Sequence, residues 1–548
     1  MPKKQHNLLI ILSIILIFLV LRILLLPTIE KYVSGNDASI SGVMTKHLLE
    51  GKMNSFYMYG IQYNGGGVIG AYLAAPFFLV LGMSSLSVKL SSILVSLILL
   101  ISIYFFTRNF FSNRIAILTV LLFTFSPGIF SRHNVRALPG YMPTLIFEVI
   151  LLYLFFNIFY KNKKTPLNFI LLGTISAIAM WNLEFIILLL FTMMLFWFFI
   201  DKKFILTKNF LIFLISFIIT YSPVIYYNLI NNLGNIKNMF YGTALNRLIC
   251  SYNLLPKSIA ICTEGQQFPK LTNPINFLIN DLPSIFSSGK YYIYEIGIFS
   301  ITSWIYYIIF IISFLFVLYI NRKGFRELFN RKFSITNLRK EFIILILIIL
   351  FSLSYITKGT HNVHYLLPIF PFVLIIMSIF LIYIYKKNKL LSLSLILILL
   401  LIGLHQNITL INAQTTTEGI GEYNKQNFEG IIELINFLKT KNINHIYTTD
   451  FIKWKVLFES KEEIIASCHY LCPCMTYNMP PYQEIVNNAN NPAYIFFNDS
   501  DYNLRLINYL DENNITYKIE EMKAVNVYYN FSKPPRPKMV MEEWDMTC

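Results

Sequence analysis

Four groups of residues have the types and spacing from which chemistry can be built. Asp37 sits in SGNDASISG, just ahead of a helical pattern. Arg132, His133 and Arg136 crowd the segment SRHNVR, and Lys358, His361 and His364 recur in KGTHNVHY, which ends on Tyr365. Glu184 stands in MWNLEF between two apolar runs. A carboxylate can take a proton from a hydroxyl, and cations in a site partly shielded from water can hold a phosphate. Each group also has an ordinary alternative. An Asp ahead of a helix caps free backbone N–H groups, basic side chains at a membrane boundary meet lipid headgroups, and Glu184 can snorkel from a tight turn. Trp181 beside it suits an interface anchor, although an aromatic ring at that depth can also stack on a sugar.

The elements that must position these residues are membrane spans. Of 548 residues, 55% are hydrophobic, 16% aromatic and only 14% charged, with a mean hydropathy of +0.57. Soluble domains carry roughly a quarter charged residues, so a wholly soluble chain is excluded. Apolar runs at 8–26, 86–106, 115–131, 142–160, 167–182, 184–200, 209–227, 294–320, 342–357, 365–385 and 390–405 approach the roughly 20 residues that cross a bilayer as helix, which predicts eleven spans. Residues 68–82, short and interrupted by Pro76, suit a helix lying at the interface. The formal charge of +16 gathers in short clusters between apolar runs, so it reads as a topology signal rather than a nucleic-acid face. Eleven spans place Arg108, Arg114, Lys161, Lys202 and the 321–340 and 386–389 clusters inside, and everything beyond about 406 outside. All six cysteines, Cys250, Cys262, Cys468, Cys472, Cys474 and Cys548, then fall outside, where disulfides are favoured. Cys250 and Cys262 share a loop and are expected to pair. The CHYLCPC cluster with His469 could bind zinc, but the oxidising compartment argues against it, and no metal site is expected.

The chain divides into a membrane domain, 1–405, and a tail, 406–548. The tail alternates helical and strand patterns: helix 425–439, strand 445, helix 451–458, strand 463, helix 482–490, strand 493, helix 501–512, strands near 516 and 525. This predicts a small α/β domain with a mainly parallel sheet, without a glycine-rich phosphate loop.

The first outer loop is more specific. Asp37, Leu48-Leu49-Glu50-Gly51, Tyr57/Tyr59/Tyr63, Ala75-Pro76 and Leu81-Gly82 follow one another in an order and spacing that resembles the GT-C membrane glycosyltransferases, the group holding protein O-mannosyltransferases and the lipid A aminoarabinose transferase. RNFFSNRIAILTVLLFTFSPGIFSRH and HYLLPIFPF at 364–372 are similar to further family segments. The chain departs from the pattern in lacking a second acid after the third span and in having His364 where the family has Arg. The resemblance implies an all-α polytopic membrane domain with a C-terminal extracytoplasmic α/β domain, in a multi-pass protein of the cell (inner) membrane.

It also implies an enzyme that moves a sugar from a polyprenyl-phosphate-linked donor to a lipid, glycan or protein acceptor, with no cofactor and no nucleic acid. Asp37 would be the general base of an inverting attack. Arg132, His133, Arg136, Glu184, Lys358, His361, His364 and Tyr365 would bind substrate, and membrane lipids would surround the spans. The competing classes are a transporter or flippase of lipid-linked glycans, which needs charged groups inside the membrane that these spans nearly lack, and a non-catalytic envelope-assembly protein. The tail, without recognisable catalytic residues, is expected to serve support or acceptor binding.

Overall fold

The computed structural model describes residues 3–27, 36–53, 55–240, 273–288, 301–323, 340–358, 363–412, 420–468 and 479–535. Among the described residues its membrane half is built of helices joined by turns and loops. The helices are α1 (Lys3–Leu24), α2 (Asn36–Leu49), α3 (Gly66–Leu81), α4 (Ser85–Phe110), α5 (Asn113–Thr124), α6 (Gly128–Val135), α7 (Tyr141–Phe159), α8 (Pro166–Asn182), α9 (Ile186–Ile200) and α10 (Lys208–Ile230). Beyond short helical segments at Gly234–Phe240 and within 274–284 come α11 (Ile301–Ile320), α12 (Lys340–Lys358), a 3₁₀ segment at Val363–Ile369 leading into α13 (Phe370–Lys387), and α14 (Lys389–Asn412).

Among the described residues, eight helices are long and apolar enough to cross a membrane singly, and α5 with α6 makes a ninth only as a pair bent by 81°. The expected spans at 167–182 and 184–200 are α8 and α9, both apolar but shorter, joined by a tight turn at Leu183–Phe185. The span expected at 115–131 is therefore two helices, α5 and α6, bent at a break rather than one continuous helix. Pro127 cannot donate a backbone hydrogen bond into the helix before it, and Ser126-Pro127 turns the chain so that α6 runs across the end of the bundle. The helix expected at 68–82 is α3, with 16 residues and with Leu79 and Val80 exposed at its end.

The break is stabilised by a residue that the sequence reading passed over. Arg22, near the end of α1, is fully buried, with Nη2 donating to the carbonyls of Phe123 and Thr124 at 3.4 and 3.2 Å and to Ser126 Oγ at 3.1 Å. Nη1 donates to Asn407 Oδ1 at 3.3 Å. The guanidinium thus satisfies the Thr124 carbonyl, which the interrupted helix leaves open, and adds a donor to the Phe123 carbonyl, which the Ser126 N–H also meets at 3.2 Å. Glu148, midway along α7, is also fully buried, and neither carboxylate oxygen has a hydrogen-bond partner. The expectation of spans nearly free of charge is corrected by these two residues.

In the tail follow α15 (Ile420–Thr440), β1 (His445–Thr448), α16 (Asp450–Glu459), β2 (Ile465–Ser467), α17 (Tyr482–Asn487), β3 (Ala493–Phe497), α18 (Asp501–Glu512), β4 (Lys518–Glu521) and β5 (Val525–Tyr529). The sheet order is β2-β1-β3-β5-β4. β1 pairs in parallel with β2 and β3, whereas β5 is antiparallel to β3 and to β4. The sheet is mixed rather than mainly parallel, because only three residues separate β4 from β5, a length that closes a hairpin and no crossover. Of the cysteines, only Cys468 lies among the described residues, buried with its sulfur 3.5 Å from Lys453 Nζ. The expected Cys250–Cys262 pair and His469 lie outside them.

The segment between α1 and α4 and the tail share one hydrophobic core. Ile40, Val43 and Met44 of α2 and Val68 and Ala71 of α3 pack in the same cluster as Leu434, Ile452, Trp454 and Val527. Helices α2 and α16 run parallel, since Asn36 meets Asp450, Gly42 meets Phe458 and Lys46 meets Lys461 in ascending order. Gly42 permits the approach, for a Cβ there would lie 2.0 Å from the Phe458 ring.

Candidate active site

Asp37 is in the first turn of α2, beyond the cap position, at the end of the helix where backbone N–H groups favour a negative charge. Across from it, α6 presents Arg132 and His133, and Arg136 is its C-cap, all three buried. Arg136 Nη2 lies 3.9 Å from Asp37 Oδ2. His133 is within electrostatic reach of Arg132, Arg136 and His364, and its Nδ1 is buried without a hydrogen-bond partner.

A third side is aromatic. The His364 ring stands edge-on to Tyr141 at 5.0 Å and lies 4.3 Å from Tyr365. Phe185 packs 5.5 Å from Tyr365 and 6.1 Å from Tyr141, which brings the α8–α9 turn with Glu184 to the same place. Asp37 and Glu184 both act electrostatically on Tyr63, Tyr141 and Tyr365. Six of the residues chosen from sequence, together with Asp37, therefore converge: Arg132, His133, Arg136, Glu184, His364 and Tyr365. Lys358 ends α12, but its side chain and the whole of His361 lie outside the described residues.

The Asp37 side chain keeps 39% of its surface, yet burial is the strongest influence on it and raises its proton affinity above that of an ordinary carboxylate. A group that keeps access to solvent and is still surrounded by protein lies in a concavity. Arg136 opposes the rise and Asp450, from the tail, adds to it. Burial likewise raises the Tyr63 hydroxyl, so this phenol stays neutral and able to donate a hydrogen bond.

Close backbone contact fixes the walls. Gly140 has φ +83°, and a Cβ on Gly66 would lie 2.1 Å from Gly140 Cα. Asn182 Nδ2 donates to the Gly140 carbonyl at 2.9 Å and Asn64 Nδ2 to that of Pro139 at 3.3 Å, so the first loop is tied to the start of α7, where Tyr141 sits. Trp181 donates to the Phe56 carbonyl at 3.1 Å and covers Gly65, so its ring packs against the loop.

Sequence reasoning missed Tyr141, Asp450 and Arg22. Arg22 was visible as a lone charge in LVLRILL. Nothing in the local sequence of Asp450 signals a partner 413 positions earlier.

Residues 66–227 match the family model described as dolichyl-phosphate-mannose-protein mannosyltransferase. No curated protein matches the chain. Among solved structures, the chain is similar to ArnT from Cupriavidus metallidurans bound to undecaprenyl phosphate, with 10% identity, TM-score 0.61 and coverage of 94% of this chain and 98% of that one. The apo form of the same protein gives 9% identity and TM-score 0.62 over 94% and 97%. The Archaeoglobus fulgidus oligosaccharyltransferase in the apo form gives 14% identity and TM-score 0.50 over 90% and 70%. The chain is a membrane protein of the GT-C glycosyltransferase fold.

Proposed function

We propose that this chain transfers a sugar from a polyprenyl-phosphate carrier to an acceptor hydroxyl on the extracytoplasmic side of the cell membrane, with inversion at the anomeric carbon. The observation that carries the reading is the Asp37–Arg136 contact within one concavity. A carboxylate beside a cation supports the reading, since the first can accept a proton and the second suits a departing phosphate. Asp37 takes the acceptor proton as the hydroxyl oxygen bonds to the anomeric carbon, and the bond from that carbon to the phosphate oxygen breaks. Arg132 and Arg136 hold the phosphate charge in a site where water screens it poorly. Tyr63, Tyr141 and Tyr365 offer hydroxyls and ring faces to the sugar. The ArnT structure holds undecaprenyl phosphate, which makes that lipid the probe of choice here. The outer cysteines are oxidised in this reading.

The test is a titration of the full chain in nanodiscs with undecaprenyl phosphate. Arg132→Ala and Arg136→Ala should each weaken binding at least tenfold. Unchanged affinity in both would move the phosphate site elsewhere.

A further inference from the structure

The tail's sheet has a topological switch point. From β1 the chain moves to β2 on one side and then to β3 on the other, so the crevice at the carboxyl ends of β1 and β3 is where open α/β sheets bind ligands. The carboxyl end of β1 is Thr448, followed by Thr449 and Asp450 at the start of α16. This edge meets the membrane half at the candidate active site: Asn36 Nδ2 donates to the Asp450 carbonyl at 3.3 Å, one residue before Asp37.

The polar groups there are incompletely used. Thr449 is the N-cap of α16 and is 7% exposed, but its hydroxyl caps nothing and has no hydrogen-bond partner. With its amide nitrogen committed to Asp450, Asn36 has Oδ1 buried and unpartnered. One Asp450 oxygen, Oδ1, is held by Lys453 at 2.8 Å and by Trp454 Nε1 at 3.2 Å, while its side chain remains 36% exposed. Buried polar groups in native proteins are normally satisfied, so the unpaired oxygens of Thr449 and Asn36 indicate a ligand. Two of the three groups are acceptors only and the third is a hydroxyl. Together with Asp37 they suit a neutral ligand rich in hydroxyl donors and oppose an anion.

We propose that Thr449, Asp450 and Asn36 form the acceptor subsite of this protein, and that it takes a saccharide, one of whose hydroxyls is thereby presented to Asp37. This rests on the transfer reading above. The tail then completes the site from the end of its own sheet, so that acceptor recognition and carrier binding come from different halves of the chain.

Saturation-transfer NMR on the full chain in nanodiscs tests this with a mixture of the methyl glycosides of mannose, glucose, galactose and N-acetylglucosamine. At least one should bind the unaltered protein. Its signal should fall at least fivefold in Thr449→Val, whose thermal midpoint should hold or rise because the lost hydroxyl bonds to nothing in the protein, and also in Asp450→Asn. Undecaprenyl phosphate affinity should stay within twofold in Thr449→Val. The absence of saccharide binding, or equal binding by the variants, would overturn the subsite. Failure of carrier binding alone, with saccharide binding sensitive to Thr449, would instead overturn the donor reading and leave this one standing.

Discussion

Glu462 of the tail accepts hydrogen bonds from Lys46 Nζ at 2.6 Å and pairs with His47 Nε2 at 2.9 Å, and Tyr482 donates to the same carboxylate. His47 Nδ1 in turn meets the Tyr59 hydroxyl at 3.0 Å, and Tyr59 stacks on Trp454. The far end of α2 is thereby clamped to the tail, which fixes where the near end carries Asp37. Burial alone would raise the Glu462 carboxyl, but the bonds from His47, Lys46 and Tyr482 outweigh it and hold the value at about 2. An unfolded Glu titrates near 4.5, so the clamp is fully present above about pH 5 and is lost as pH falls toward 2. The shift corresponds to about 3 kcal/mol. Glu462→Gln should lower the thermal midpoint at pH 7 by several degrees, and the gap from the unaltered protein should shrink between pH 5 and pH 3. A gap that is constant with pH would show the clamp to be unimportant.

Arg22→Met keeps the length of the side chain and removes its donors. Because it strands the carbonyl of Thr124 and removes one of the partners of the Phe123 carbonyl and the Ser126 hydroxyl, it should cost about 2 kcal/mol. Since these bonds aim α6, carrier affinity should fall as well, although Arg22 itself has no contact with the candidate site. Thermal unfolding and lipid titration of the same preparation measure both, and a stable variant with unchanged affinity would contradict the account of the broken helix.

Glycine substitutions separate close approach from backbone strain. Gly66→Ala pushes a methyl into Gly140 and should cost several kcal/mol, as overpacking against backbone that cannot yield. Gly51→Ala, at φ +68° with open space around it, should cost only about 1 kcal/mol. Denaturation of the two variants in parallel checks the ordering, and equal losses would refute it.

Much of this architecture was legible because each signal was local. The helix caps and alternating patterns of the tail lie within windows of a dozen residues, and its strands begin at 445, 465, 493, 518 and 525, within two residues of where the pattern puts them. The cations at 132, 133 and 136 and the acids at 37 and 184 stood out as polar residues at the ends of apolar runs. What stayed hidden depends on distant pairings. The bend at Pro127 needs Arg22 from another helix, the burial of Glu148 depends on how α7 packs, and Gly42 could not announce Phe458 as its neighbour 416 positions on. The shared core of α2 and the tail is invisible for the same reason, since both surfaces read only as amphipathic faces with a partner somewhere.

The pH dependence of transfer should carry the mark of the groups around Asp37. Its carboxyl lies above the usual carboxylate range, and the reaction needs the ionised form, so activity should fall with decreasing pH on a limb higher than an exposed Asp would give. Arg136→Ala removes the charge that holds the value down and should move the limb to higher pH. Asp450→Asn removes a neighbouring negative charge and should move it lower. Profiles of kcat/KM measure both shifts, and movement in the same direction would contradict this reading of the electrostatics.

The most direct measurement is transfer by Asp37→Asn. Burial disfavours the ionised carboxyl, so its charge weighs against the fold at pH 7 and the amide should leave the thermal midpoint unchanged or slightly higher. Undecaprenyl phosphate affinity should stay within about threefold, while turnover with a polyprenyl-phosphate-linked sugar should fall by a factor of about 10² to 10⁴. A folded Asp37→Asn protein that transfers at near the normal rate would contradict the assignment of Asp37 as the base and reduce it to a charge that stabilises the first turn of α2.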